Sequence, residues 1–189
     1  MPRVHAITRM ISPEYVVLGL LKLEPSHGYL LHQRLETELN HLWRISLSQV
    51  YNILNRLEKH GYIQTTGDGS TKQDAERVCF RITKKGDQHL KTWMETPVGP
   101  SIRAIRMAFI TKLYLAQYLG QPALDNLSAT QRTAIDKQLE QLSTSLDAIP
   151  EAQLINRLAL EMRIKQLESL QIWFDGIMDN IALPMERDQ

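Results

Sequence analysis

The apolar positions of the chain change period twice. From Tyr15 to Leu23 they run almost unbroken behind Ser12-Pro13-Glu14, which supplies an N-cap, a proline at the first helical position and an early acid. Pro25 stops this first helix. Ser26 can cap a second, expected over about His27–Leu39, with Leu31, Leu35 and Leu39 along one face. Ser46 and Gln49 have the spacing of a capping box, so a third helix should begin there and end near His60, with Gly61 as its left-handed terminator. At 100° per residue Val50, Ile53, Leu54 and Leu57 share one side of it. The period then drops to two. Tyr62–Thr66 reads as a strand, and so does Arg77–Ile82, where Val78, Phe80 and Ile82 alternate with Arg77, Cys79 and Arg81. The polar, glycine-bearing segment Gly67–Glu76 joins them as a hairpin tip. Thr83 caps a fourth helix over about Lys84–Glu95.

Pro97, Gly99 and Pro100 mark a linker, and beyond it every strong signal is helical. One helix is expected over Ser101–Leu119, closed by Gly120 and Pro122. A second is capped by Ser128 and runs to about Ala148. A long third runs from Glu151 to about Ala182. The expected fold is therefore mainly α, in two parts. Residues 1–95 make a winged helix of three helices plus a β-hairpin wing, and residues 101–189 make an all-α dimerisation domain. The long helix has apolar residues on two arcs. Leu154, Ile155, Leu158 and Met162 hold one; Leu160, Ile164, Leu167, Leu170, Phe174, Ile177 and Met178 hold the other. A helix apolar nearly all round must be buried on most sides. Three helices do not easily do that alone, so the second arc is expected to meet another copy of the chain. That places Leu160, Ile164, Leu167, Leu170 and Phe174 at a homodimer interface. The alternative is a bundle closed within the chain.

Composition adds exclusions. The 189 residues are 43% hydrophobic and 23% charged, as in a globular protein with a core. No apolar run is long enough to span a bilayer, and no signal peptide opens the chain, so we expect a cytoplasmic protein with no membrane partner. The single cysteine, Cys79, excludes an internal disulfide. His27 and His32 are five apart, off the spacing of helical metal pairs, so no metal and no cofactor are expected. No nucleophile elbow, phosphate loop or paired carboxylate motif is present, which argues against an enzyme. Net charge is +1, and its distribution is only slightly uneven: residues 1–95 hold 13 Lys+Arg against 10 Asp+Glu.

The polar side of the third helix changes the picture most. Opposite its apolar side stand Ser48, Asn52, Asn55 and Lys59, flanked by Gln49, Tyr51 and Arg56, with only Glu58 of opposite sign nearby. Amides, hydroxyls and guanidinium groups bond base edges and phosphates, and a helix carrying them at the end of a three-helix set fits a major groove. Lys72 and Arg77, in the hairpin, would reach the flanking backbone. An ordinary solvated helix face is the plainer alternative. A winged-helix module for protein–protein contact, which never touches DNA, is the rival function; the near-neutral charge and the acids of the hairpin tip favour it.

Several stretches resemble the PadR-type winged-helix transcriptional regulators. They are Pro25-Ser26-His27-Gly28-Tyr29, the Val50-Tyr51 pair, Leu57-Glu58-Lys59 before Gly61, and Ile82-Thr83 with Gly86. The second half, through "WMETPVGPSIRAIRMAFITKLYLA" and "RLALEMRIKQLESLQIWFDGIMDNI", is similar to the longer branch of that family, which includes the virulence-gene activator alpha group. The resemblance implies a homodimer on double-stranded DNA, reading a pseudo-palindromic operator with its third helices. It also implies a site for a small aromatic effector at the junction of the two halves, where Trp93 and the linker lie. The hairpin departs from the family pattern, with Asp74 and Glu76 near its tip and Cys79 in place of an aromatic residue.

Overall fold

The computed structural model describes residues 11–66, 78–99 and 101–181. Helix α1 (Pro13–Leu23) starts as its sequence dictates: the Ser12 hydroxyl accepts from the Glu14 N–H, and Pro13 sits where no N–H is needed. Its residues Val16 to Leu21 are buried on every side, so α1 is the axis of the molecule. A short strand β1 (Ser26–His27) leads into α2 (Gly28–Glu38), and α3 (Leu47–Lys59) follows. Strands β2 (Ile63–Thr66) and β3 (Cys79–Ile82) precede α4 (Lys84–Glu95). The sheet is antiparallel in the order β1-β3-β2, pairing Ser26 with Phe80, His27 with Cys79, Thr65 with Phe80 and Ile63 with Ile82.

This is a winged helix, with one correction at its start. Ser26 does not cap α2. It pairs with β3, and the residue before α2 is His27, whose side chain makes no capping bond. The extended backbone that a cap requires is also strand backbone, and the free edge of β3 claimed it. The Ser46–Gln49 capping box, the Thr83 cap and the positive φ of Gly61 are present as expected.

The second half begins with α5 (Ile102–Ala104), a five-residue π turn (Ile105–Phe109) and α6 (Ile110–Leu119), which form one rod. Two long helices complete the fold, α7 (Gln121–Asp147) and α8 (Leu154–Ile181). Here a second boundary differs from expectation. Ser128 lies inside α7 rather than at its start. Gly120, at φ 95°, reverses the chain, and Pro122 falls in the first turn, where a missing N–H is harmless, so α7 opens at once.

The two halves share packing. At Gly19 an added Cβ would lie 2.3 Å from Leu115 of α6, so only glycine lets α6 seat this closely on α1. At the junction the Gln131 amide closes two bonds on the Val98 backbone, donating to the carbonyl at 3.0 Å and accepting from the N–H at 2.8 Å. Trp43 donates its indole N–H to Thr111 Oγ1 at 2.8 Å, both groups buried. Beside them Lys112 is fully buried, its amine bonded to the Thr96 carbonyl and 4.9 Å from the Trp93 ring centre.

The inner face of α8 closes on α7 and the π turn. Ile164, Leu167 and Phe174 are buried within the chain, and the Phe174 ring lies 5.3 Å from that of Phe109. Leu160 and Leu170 pack against the same core, half-buried. The arc expected from sequence to meet a second copy is thus filled inside the monomer. The arc left outside is the other one: Ile155 is 76% exposed and Met162 63%, with Leu154, Leu158, Ile172 and Trp173 also exposed. Both arcs have helical spacing, so periodicity could not choose between them.

Candidate nucleic-acid interface

Helix α3 is fixed from below. Val50, Ile53, Leu54 and Leu57 bury its apolar side among α1, α2 and β2. The capping box fixes its start: Gln49 Oε1 accepts from the Ser46 N–H at 2.9 Å, and Ser46 Oγ accepts from the Gln49 N–H at 3.3 Å. What remains outward is the polar stripe. Ser48, Asn52, Asn55 and Lys59 are all exposed, along about 16 Å of helix at 1.5 Å per residue.

The nine residues singled out from sequence for DNA fall into three groups. Asn52, Asn55 and Lys59 make no side-chain hydrogen bond or ion pair among the described residues, so their donors and acceptors are free for an incoming partner. Four others have work within the chain. Gln49 serves the cap, Ser48 Oγ lies 3.0 Å from Ser46 Oγ, the Tyr51 ring rests against Gly28, and Arg56 Nε donates to Glu14 Oε1 at 2.8 Å. Lys72 and Arg77 lie outside the described residues.

Sequence patterns did not reveal Glu14 as the partner of Arg56, because the two are 42 residues apart. They also did not reveal the polar bridge from α2 to α6. Arg34 Nε donates to Glu38 Oε1 at 3.0 Å and to the Tyr114 hydroxyl at 3.1 Å, while Tyr114 and Tyr118 donate to Glu38 Oε2 at 2.5 and 3.1 Å. Burial, with the bonds to Glu38 and Tyr118, pushes the Tyr114 hydroxyl far above its ordinary range. Burial likewise pulls Lys112 down to about 8. The faces of Trp93 are occupied: Tyr15 stacks on it at 4.5 Å, and Lys112 approaches from α6. Open space lies next to this junction, a cleft of about 250 Å³ with Leu90, Met94, Leu119 and Leu127 in its walls and the ion pairs Lys22–Asp87 and Lys91–Glu95 at its edge. No group of three or more His, Cys, Asp or Glu able to hold a metal occurs among the described residues, and none of their helices is long and apolar enough to cross a membrane.

Three helices and a small antiparallel sheet in this order define a winged-helix fold. Residues 17–92 match the Transcriptional regulator PadR-like family, and this part of the chain is a PadR-like domain. Solved structures similar to the chain include PadR of Bacillus subtilis in complex with operator DNA, at 23% identity over 89% of this chain and 98% of that one, with a TM-score of 0.39. The same protein in complex with p-coumaric acid is 21% identical over 90% and 98%, at 0.40. The virulence activator AphA of Vibrio cholerae is 19% identical over 90% and 98%, at 0.40. No curated protein sequence matches.

Proposed function

We propose that the protein is a homodimeric transcriptional regulator that reads double-stranded DNA with α3. The observation that supports it most is the stripe of Asn52, Asn55 and Lys59, unpartnered among the described residues, on the outer side of the third helix of a PadR-like domain. Amides pair with adenine edges and an ammonium with phosphate, so the stripe divides into base-reading and backbone-holding positions. Ser48 stands at the helix start, where hydroxyls and backbone N–H groups meet phosphate. The winged-helix part, 1–95, would carry the reading surface and the helical part, 101–189, the contact between copies.

The contact between copies falls on the outer arc of α8, with Leu154, Ile155, Leu158 and Met162 at one end and Ile172 and Trp173 at the other. Exposed apolar clusters of this kind, here separated by Lys165, Gln166 and Ser169, mark protein interfaces. A two-fold axis there would present two α3 helices to half-sites about 34 Å apart, matching a pseudo-palindrome. The cleft next to the junction has an apolar wall of Leu90, Met94, Leu119 and Leu127, which suits a small aromatic effector.

The test is selection of bound genomic fragments, then anisotropy titration of the best fragment at two salt concentrations. Affinity should fall steeply with salt, by about 0.9 log unit per log unit for each phosphate neutralised. Flat salt dependence, or no retained DNA, would favour the protein–protein module instead. Thermal shift with a panel of small aromatic acids tests the cleft; no shift with any member removes the effector from the reading.

A further inference from the structure

Arg56 stands on the flank of the α3 stripe, rotated about 60° from its centre toward α1. Its side chain is 53% exposed, yet its Nε is held by Glu14 at 2.8 Å. Glu14 itself is well anchored. It lies in the first turn of α1, its N–H is bound by the Ser12 hydroxyl, and Val16 to Leu21 just behind it are core. A helix lying in a major groove has phosphates passing along its flanks, and a guanidinium there is a phosphate ligand. The carboxylate of Glu14 therefore holds the Arg56 Nε, one of the donors a backbone phosphate would use.

We infer that Glu14 is an affinity-setting residue, an internal anion that competes with a DNA phosphate for Arg56 as the helix seats. This rests on the reading of α3 proposed above. An exposed ion pair is weak, so displacement is feasible, but its loss opposes binding. The effect is independent of sequence, because phosphate is common to every site. Glu14 thus lowers specific and non-specific binding alike and leaves their ratio alone. In the freed state Glu14 also takes up a cation from solution, which partly offsets the counterions released from DNA.

The experiment compares wild type, Glu14→Gln, Arg56→Gln and the double variant on the selected operator and on a scrambled duplex, each across a salt series. Glu14→Gln should bind both duplexes about two- to five-fold more tightly, the range expected from an exposed pair. Its log–log salt slope should steepen by less than about 0.9, one phosphate's share. The double variant should match Arg56→Gln, since Glu14 acts through that side chain. Glu14→Asp keeps an acid at the start of α1 but shortens its reach, so it should fall between wild type and Glu14→Gln; it also serves if Glu14→Gln folds poorly. Unchanged or weaker binding by Glu14→Gln, while wild type binds DNA, would overturn this inference alone. An equal gain with Arg56 already replaced would do the same, showing general repulsion rather than competition. Wild type that binds no DNA would sink the reading of α3 and this inference with it.

Discussion

Helices α3 and α8 each present an outward face that nothing among the described residues covers, and the two faces are opposite in kind. That of α3 is amide and ammonium: Asn52, Asn55 and Lys59. That of α8 is apolar: Ile155, Leu158, Met162 and Ile172, with Trp173 partly turned in against Phe109. Water satisfies the first face at no loss, so its lack of a partner says only that its groups are available. Water does not satisfy the second, and leaving large apolar side chains exposed forgoes about 25 cal/mol for each Å² that a partner could cover. The apolar face is therefore a thermodynamic argument for a protein partner, and the polar face a chemical argument for a ligand with matching donors and acceptors.

The sharpest way to break this contrast is within α8. Ile164→Asp with Leu167→Asp places two carboxylates in the monomer core, where unpaired charge costs several kcal/mol. The helical half should lose its structure by far-UV circular dichroism. Ile155→Asp with Met162→Asp, on the outer arc, should keep the monomer folded and abolish the dimer in light scattering. If instead the inner pair leaves the fold intact, or the outer pair leaves the dimer intact, the assignment of the two arcs is wrong.

A smaller effect separates the junction from both faces. Lys112 has a folded-state pKa of about 8 against 10.5 when unfolded. Between these values the unfolded chain binds more protons, so stability rises with pH, by up to about 1.4 kcal/mol per unit. The raised value of Tyr114 acts in the opposite sense, the folded state holding the extra proton, and only above the ordinary tyrosine range near 10. Denaturant titrations should therefore show a gain of about 2 kcal/mol from pH 8 to pH 10 in wild type. The gain should be absent in Lys112→Met. An identical pH profile in both proteins would show that Lys112 is not the group responsible.

The smallest expected effect lies on the α2–α6 bridge. Tyr114→Phe removes the hydroxyl shared by Arg34 and Glu38 and should destabilise by about 1 kcal/mol. It should leave DNA affinity of a folded sample unchanged, as measured by anisotropy. A larger loss of affinity than of stability would make the bridge part of the reading surface.

The two faces also differ in how far they could be read from residues alone. On α3 the apolar positions fill one side only, so the pattern, the Ser46–Gln49 box and Gly61 together settled its limits and its outward stripe. On α8 two apolar arcs compete, and what decides between them is Phe109 and α7, tertiary neighbours that no local period reports. Ser26 failed as a cap for a similar reason, since the edge of β3 lies more than fifty residues away. Glu14 was legible as an early helix acid but not as the partner of Arg56. Lys112 sits in an apolar run, Phe109 to Ala116, yet one lysine in such a run reads equally as a solvated interruption. Local chemistry was visible in each case; long-range pairing was not.

The reading of α3 rests on Asn52 and Asn55 touching bases, and one measurement addresses that directly. Anisotropy titration of Asn52→Ala and Asn55→Ala, on the selected operator and on a scrambled duplex, gives the specificity ratio of each. The ratio should fall about tenfold or more in at least one variant, within the 1–3 kcal/mol of a base contact, while scrambled-duplex affinity stays at the wild-type value. Wild-type ratios in both variants would contradict the account and remove α3 from the reading role.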